Sequence, residues 1–141
     1  MKKTFSKNQI TEIAKELLAS LEQNESATVV ALSGDLGAGK TTLTQAIARE
    51  LGVSENVISP TFVIMKRYAI QDARYDFLIH IDAYRLNSEA ELEKLGWAEL
   101  LADPKNLILI EWPERVLGII PEHAHRISLS HKSEDEREME I

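Results

Sequence analysis

The sequence contains no cysteine, which excludes disulfide bridges and zinc sites built from thiolates. No apolar run approaches the roughly 20 residues of a membrane-spanning helix, and the N-terminus lacks the apolar core of a secretory signal. Basic residues are outnumbered, since 16 Lys and Arg stand against 23 Asp and Glu for a formal net charge of −7. Because Lys and Arg provide most of the affinity for nucleic-acid phosphates, we do not expect firm nucleic-acid binding by this chain alone. We expect a cytoplasmic protein without a membrane partner.

The length and composition are those of one globular domain. The chain has 141 residues, of which 44% are hydrophobic and 28% are charged. This length is sufficient for one hydrophobic core, and the two fractions are typical of soluble proteins. We therefore predict a single domain over residues 1–141.

The most specific motif lies at residues 34–42, Gly-Asp-Leu-Gly-Ala-Gly-Lys-Thr-Thr, which match G-x-x-x-x-G-K-[ST] at every fixed position. An apolar run precedes it and helical apolar spacing follows, which predicts a strand, a glycine-rich turn and a helix. Such a turn binds phosphates because its backbone N–H groups converge on the anion at the positive end of the helix. Lys40 is expected to contact the β- and γ-phosphates, and Thr41 to bind Mg²⁺. The nucleotide-binding residues predicted in this loop are Asp35, Leu36, Gly37, Ala38, Gly39, Lys40, Thr41 and Thr42.

Two further apolar runs end in an acid. Residues 77–82 end in Asp82, and residues 107–111 end in Glu111. Ligands of open α/β sheets bind beyond the carboxyl ends of strands, so the Asp82 carboxylate is expected to lie in the shell around the metal or to orient a water molecule. Glu111 occupies the position from which P-loop proteins supply a carboxylate to Mg²⁺, although that residue is usually Asp. We predict Lys40, Asp82 and Glu111 as catalytic residues, and Thr41 and Glu111 as metal ligands.

The N-terminal region predicts an amphipathic helix with apolar positions between residues 10 and 21. Ser6 and Gln9 form a candidate capping box for this helix, as do Ser88 and Glu91 for a second helix over residues 88–95. The segment 4–7, including Ser6 and Lys7, is either a nucleotide-base contact or only the approach to a helix packed on a sheet. Beyond Pro121 the pattern predicts a hairpin, with strands at 126–129 and 137–141.

Several residues have two interpretations. Thr61 either senses the γ-phosphate and Mg²⁺ or caps a turn. Arg85 either contacts phosphate or pairs with a nearby acid. His123, His125 and His131 lie in a charged, polar setting without cysteine, which disfavours a metal site there.

Four blocks together resemble the TsaE (YjeE) family, the small ATPase of the bacterial tRNA threonylcarbamoyladenosine pathway. They are Ser-Gly-Asp-Leu-Gly-Ala-Gly-Lys-Thr-Thr at 33–42, Ser-Pro-Thr-Phe at 59–62, His-Ile-Asp-Ala-Tyr-Arg-Leu at 80–86 and Ile-Glu-Trp-Pro-Glu at 110–114. The phosphate loop alone would not identify the family, whereas the four blocks in this order and spacing are specific. The resemblance extends from about residue 6 to Pro121.

The resemblance implies a P-loop NTPase-like α/β fold, a three-layer sandwich with a mostly parallel, mixed sheet followed here by the C-terminal hairpin. It implies binding of ATP or ADP with Mg²⁺, slow ATP hydrolysis, and cooperation with the TsaB–TsaD complex. That complex transfers threonylcarbamoyl to adenosine 37 of tRNAs reading ANN codons, and ATP turnover resets it, so this chain would contact tRNA only indirectly. By position, Lys40, Thr41 and Glu111 match the phosphate and metal residues. Thr42, Asp82 and Trp112 match positions important for activity, although Trp112 is equally compatible with ordinary packing.

Two rival functions belong to other classes. A small-molecule P-loop kinase usually has an arginine-bearing lid and an acceptor pocket, whereas only Arg85 and Arg115 are expected near this site. A GTPase-like switch usually needs an [NT]-K-x-D segment, which the sequence lacks. Phosphorylation of a small molecule would favour the first rival, and preference for GTP over ATP would favour the second.

Overall fold

The computed structural model describes residues 2–35, 37–55, 57 and 64–141. In this part of the chain seven strands form one mixed sheet in the order β1-β7-β6-β2-β5-β4-β3. The strands are β1 (Lys2–Ser6), β2 (Thr28–Ser33), β3 (Met65–Ala69), β4 (Phe77–Asp82), β5 (Asn106–Glu111), β6 (His125–His131) and β7 (Glu136–Glu140). The helices are α1 (Ile10–Ser20), α2 (Lys40–Glu50), α3 (Glu89–Lys94) and α4 (Trp97–Ala102).

The four central strands, β6, β2, β5 and β4, are parallel. β7 pairs antiparallel with β6 and β3 with β4, and the edge strand β1 pairs antiparallel with β7. In this register Leu32, the last but one residue of β2, lies beside Glu111 at the end of β5, and Glu111 lies beside Asp82 at the end of β4. The mostly parallel, mixed sheet and the C-terminal hairpin of β6 and β7 confirm the predicted fold. Parallel pairing brings the ends of β2, β4 and β5 together at one edge of the sheet.

The sheet separates two hydrophobic clusters, because successive side chains of a strand point to opposite faces. On β2, Val30 and Leu32 pack with α1 and α2, while Val29 and Ala31 pack on the other face with residues of α3 and α4. Their burial on both faces accounts for the continuous apolar runs in the sequence. The arrangement is the predicted three-layer sandwich.

The N-terminal residues form a strand that the sequence did not indicate. β1 pairs antiparallel with β7, and Phe5 lies opposite Arg137. The capping box is present, since the Ser6 N–H donates to Gln9 Oε1 at 2.8 Å. It caps a 3₁₀ turn over Lys7–Gln9, and α1 begins only after that turn.

The prediction of a second capping box, at Ser88 and Glu91, is wrong. Ser88 makes no side-chain capping bond, and the Glu91 carboxylate instead accepts a hydrogen bond from the Asn87 N–H at 3.3 Å. The helix is shorter than predicted and begins at Glu89, after the extended backbone of Ser88. Within the described ranges, no helix is long and apolar enough to cross a membrane.

Candidate functional site

The phosphate-loop motif connects β2 to the first residue of α2. The loop begins against the backbone of β6, and a Cβ atom added to Gly34 would lie 2.5 Å from the Leu129 carbonyl oxygen. It ends at Gly39, which has a φ of 101° directly before Lys40. The first N–H groups of any α-helix have no partner within the helix, so the loop directs backbone donors beyond the end of β2. The sequence motif and the structure agree here.

Lys40 is 6% exposed although it carries an ammonium group. Its Nζ donates to the carbonyl oxygens of Gly34 and, at 3.0 Å, of Asp35. Nζ also lies 4.3 Å from the centroid of the Trp112 ring, within the range of a cation–π interaction. The ammonium group is therefore held over the loop by two carbonyls and one aromatic face.

Burial lowers the pKa of the Lys40 ammonium group from its ordinary value. The carboxylates of Glu111, Glu114, Asp82 and Asp35 oppose this shift, but they do not cancel it. The site thus combines the buried Lys40 ammonium group with several carboxylates, and ionisable groups with shifted pKa values in a cleft are common at functional sites.

Asp82 and Glu111 are both buried and adjacent, as expected from the parallel register of β4 and β5. The Tyr84 N–H donates to Asp82 Oδ1 at 3.0 Å and orients that carboxylate. Glu111 Oε2 lies 2.5 Å from His80 Nε2, inside the sheet face that packs on α1 and α2. The sequence assigned His80 no role, because its contact with Glu111 joins two strands that are distant in sequence.

These side chains surround a cleft of about 460 Å³. Ten predicted site residues line it: Lys7, Gly37, Ala38, Gly39, Lys40, Thr41, Thr42, Asp82, Glu111 and Trp112. Two others do not line it: Asp35 contributes its carbonyl to Lys40, and the Ser6 hydroxyl contacts Asn8 and Gln9. Leu36 and Thr61 lie outside the described residues, so their predicted roles stay predictions.

The cleft has a second side that the sequence did not reveal. Phe5, Ile10 and Arg137 line it together with Lys7. Arg137 is buried, and its Nη1 donates to the carbonyls of three residues at the hairpin turn, Ser133, Glu134 and Glu136. A Cβ atom on Gly39 would lie 3.9 Å from the Arg137 side chain, which places the hairpin beside the phosphate loop. Only the pairing of β1 with β7 brings this group together.

Trp112 connects Lys40 with a more exposed aromatic residue. It adopts a left-handed conformation with a φ of 59°, which is uncommon for a non-glycine residue. Its ring lies 5.0 Å from the ring of Tyr84, and the Arg115 guanidinium lies 5.6 Å from the ring of Tyr84. The aromatic pair of Trp112 and Tyr84 therefore leads from the buried ammonium group toward the surface, where Tyr84 is 39% exposed.

A metal at this cleft would need ligands besides the protein. Among the described residues, no group of three or more His, Cys, Asp or Glu side chains is arranged to hold a metal ion. The side chains of Thr41 and Glu111 offer oxygen atoms at the same cleft. Oxygen ligands suit Mg²⁺, which is commonly held by one or two protein groups together with substrate phosphates. The residues therefore fit Mg²⁺ bound together with a phosphorylated ligand.

The chain resembles known proteins over nearly its whole length. The family model of threonylcarbamoyl adenosine biosynthesis protein TsaE matches residues 4–139. The tRNA threonylcarbamoyladenosine biosynthesis protein TsaE of Haemophilus influenzae is 37% identical over 126 residues, which cover 89% of this chain and 76% of that protein. The protein of the same name from Treponema pallidum is 36% identical over 117 residues, which cover 83% of each chain.

Two comparisons involve Bacillus subtilis. Its TsaE is 39% identical over 111 residues, so the match spans 79% of this chain and 66% of that protein. The crystal structure of YdiB from this organism has a TM-score of 0.75 and 30% sequence identity, covering 99% of this chain and 82% of that one. The resemblance stated from the sequence blocks is confirmed. The chain belongs to the TsaE family of threonylcarbamoyl adenosine biosynthesis proteins.

Proposed function

We propose that this chain binds ATP or ADP with Mg²⁺ and hydrolyses ATP. In this proposal it acts in the cytoplasm with the TsaB–TsaD complex, and supports threonylcarbamoylation of adenosine 37 in tRNAs that read ANN codons. Family membership supports the role in threonylcarbamoyl adenosine biosynthesis. The nucleotide, the metal, the hydrolysis and the partner complex are proposed from the residues of the cleft and from the family resemblance.

The observation on which the proposal depends is the position of Lys40. The ammonium group lies at the start of α2, in the same cleft as the ends of β4 and β5. Among the described residues it donates to two loop carbonyls and lies beside one aromatic face. A phosphate group would give this buried cation a charged partner, and charge-assisted hydrogen bonds are stronger than those to neutral carbonyls. Exchange of the carbonyls for phosphate oxygens would therefore favour binding of a polyphosphate.

The loop has room for such a ligand. A Cβ atom on Gly37 would meet no atom within 4 Å, so the space over the middle of the loop is open. Residues from Gly37 to Thr42 all line the cleft. Its volume of about 460 Å³ lies within the range of roughly 300–1,000 Å³ that is common for small-molecule sites.

The two acids are suited to different roles. Glu111, with Thr41, offers oxygen atoms on the metal side, and Mg²⁺ bound there would neutralise charge on the phosphate oxygens. The Tyr84 N–H donates to the Asp82 carboxylate, and in this proposal Asp82 would orient the attacking water as a hydrogen-bond acceptor. Lys40 would stabilise the negative charge of the transferred phosphoryl group.

The second side of the cleft suits the nucleoside part of the ligand. Phe5 and Ile10 provide apolar surface, and Lys7 and Arg137 provide positive charge at the end of the phosphate loop. Such a mixture of apolar walls and few polar groups is typical of small-molecule sites. The predicted contact of Lys7 with the nucleotide agrees with this geometry and stays a prediction.

Partner dependence is supported by the aromatic pair. A change in the position of Lys40 would act on Trp112 by direct contact, and Trp112 contacts Tyr84, which is exposed. The net charge of −7 gives no broad basic surface for tRNA, so tRNA would be reached through TsaB–TsaD. We expect little affinity for tRNA alone and nucleotide-dependent affinity for the partner complex.

The test compares Lys40→Ala with Lys94→Ala, which removes the same charge from an exposed position in α3. ATP and ADP binding, and ATP turnover with and without TsaB–TsaD and tRNA, are measured for both variants. We expect Lys40→Ala to weaken nucleotide binding or abolish turnover and Lys94→Ala to behave like wild type. Wild-type binding and hydrolysis by Lys40→Ala would refute the assignment. A phosphorylated small molecule appearing with ADP would instead favour a kinase.

A further inference from the structure

His80 is a buried polar residue for which the proposed function has no role. It is 0% exposed, lies within β4, and is not among the described residues that line the cleft. Its Nε2 lies 2.5 Å from Oε2 of Glu111, which is 3% exposed and does line the cleft. A buried histidine thus contacts the carboxylate that we assign to the metal side.

The sheet register explains this contact. In the parallel pairing of β4 with β5, His80 lies opposite Leu109 and Asp82 lies opposite Glu111. His80 is therefore the diagonal neighbour of Glu111 on the same face, a separation that long side chains can span. β4 lies between β5 and β3, and β5 lies between β2 and β4, so the backbone of both residues is held on two sides.

The direction of the hydrogen bond follows from the partners of the two ring nitrogens. His80 Nδ1 has no hydrogen-bond partner among the described residues, whereas Nε2 faces a carboxylate oxygen. If the proton were on Nδ1 alone, the buried Nδ1–H would have no acceptor. The unprotonated Nε2 would then face the carboxylate oxygen of Glu111, and both atoms are acceptors. The network therefore assigns the N–H to Nε2, which donates to Glu111 Oε2.

A glutamate at this position needs such a restraint. P-loop proteins usually place the shorter Asp there, and Glu has one more rotatable bond between its backbone and its carboxylate. A side chain with more rotamers loses more conformational entropy when it is fixed at a ligand. One hydrogen bond from a buried strand residue removes much of this freedom before any ligand binds.

We propose that His80 is a positioning residue that holds Glu111 Oε2 and presents the other carboxylate oxygen to Mg²⁺. This inference rests on the proposed function, because it needs a metal at Glu111. His80 acts through Glu111 and does not itself contact the nucleotide or the metal. Loss of an outer partner of a metal ligand typically weakens metal affinity by about 10- to 100-fold.

Three substitutions of His80 distinguish loss of the hydrogen bond to Glu111 from loss of side-chain packing. In His80→Gln the amide N–H can lie near the position of Nε2 and donate to Glu111. In His80→Asn the shorter side chain brings its amide only to about the position of Nδ1, and in His80→Leu no donor remains. Affinity for fluorescently labelled ADP is measured with EDTA and across a Mg²⁺ titration, and urea unfolding checks the fold of each variant.

We expect all variants to bind ADP like wild type in EDTA. In the titration, His80→Asn and His80→Leu should need about 10- to 100-fold more Mg²⁺, and His80→Gln should stay close to wild type. Equal Mg²⁺ dependence in all four proteins would overturn the inference, as would equal loss of ADP affinity in EDTA by all three variants. If His80→Leu does not fold, the inference is tested by the difference in Mg²⁺ dependence between His80→Gln and His80→Asn. Absence of Mg²⁺-linked ADP binding by the wild-type chain would instead overturn the proposed function, and this inference with it.

Discussion

Replacing Gly34 with alanine should destabilise the protein more than the same change at other glycines, because the added methyl group would meet backbone. Its Cβ atom would lie 2.5 Å from the Leu129 carbonyl oxygen and 3.3 Å from Ala38 Cβ. Leu129 belongs to β6, which is paired on both sides by β2 and β7 and cannot easily move. Gly34 also has a φ of 147°, which side chains rarely adopt. Backbone strain of about 1–3 kcal/mol and overlap of about 1–3 kcal/mol together give a loss of about 2–6 kcal/mol.

Two other glycines provide matched controls. Gly37 also has a positive φ, of 80°, but its Cβ would meet no atom within 4 Å. Gly37→Ala should therefore lower the free energy of unfolding only by the cost of left-handed backbone for alanine, about 1–2 kcal/mol. A Cβ on Gly118 would again lie 2.5 Å from an atom, but that atom is Oε2 of the flexible Glu89 side chain. Gly118→Ala should change stability by no more than about 1 kcal/mol, because the carboxylate can turn away.

The measurement is urea-induced unfolding followed by far-UV circular dichroism. Nucleotide must be absent, because a ligand of the folded state adds stability by mass action. Equal slopes of the unfolding free energy against urea concentration show that the variants unfold from comparably folded states. The free energies extrapolated to zero urea then rank the variants by their loss of stability. The reasoning is refuted if Gly34→Ala is as stable as Gly37→Ala, or if Gly118→Ala loses as much stability as Gly34→Ala.

Three further results are expected. Glu111→Gln should shift the Mg²⁺ dependence and lower turnover, whereas Asp82→Asn should lower turnover with less effect on nucleotide affinity; identical Mg²⁺ titrations of wild type and Glu111→Gln would contradict these roles. Arg74→Ala should lower the free energy of unfolding by about 1–2 kcal/mol in urea titrations, because the guanidinium donates at 3.1 and 3.4 Å to two carbonyls at the end of α1. Burial alone would raise the pKa of the Asp72 carboxyl group, but hydrogen bonds and charge from Arg74 outweigh it and lower the pKa. The stability that Asp72 contributes should therefore be present at neutral pH and lost as pH falls through the lowered pKa, so the difference in unfolding free energy between wild type and Asp72→Asn should shrink from pH 7 to about pH 3.

Features that depend on neighbouring residues could be predicted from the sequence. The described residues of the motif at 34–42 form the expected turn and helix start because its glycines, lysine and following helix are adjacent in the chain. Strand β4 has the predicted bounds, and β5 begins one residue earlier than predicted, since continuous apolar runs are typical of strands buried on both faces. The ends of these strands place Asp82 and Glu111 at the cleft for the same local reason.

Two local features differ from what the sequence indicated. β1 is short and Phe5 is its one buried residue, so its sequence has no recognisable strand pattern. The segment forms a strand by pairing with β7. The capping box at Ser88 had the right residues and spacing, but Ser88 makes no side-chain capping bond and the Glu91 carboxylate accepts from the Asn87 N–H instead.

The sequence by itself determined the phosphate loop and the two strand-end acids, because each depends on short-range order or on the pattern of apolar residues. Its four motif blocks indicated the family, and the layer architecture was expected from that resemblance. Only the tertiary structure decided that His80 holds Glu111, and that Arg137 and Phe5 lie beside the loop. Both arrangements join segments that are separated by tens of residues, and their geometry depends on strand order and register. Register is a property of paired strands, and no single segment of sequence specifies it.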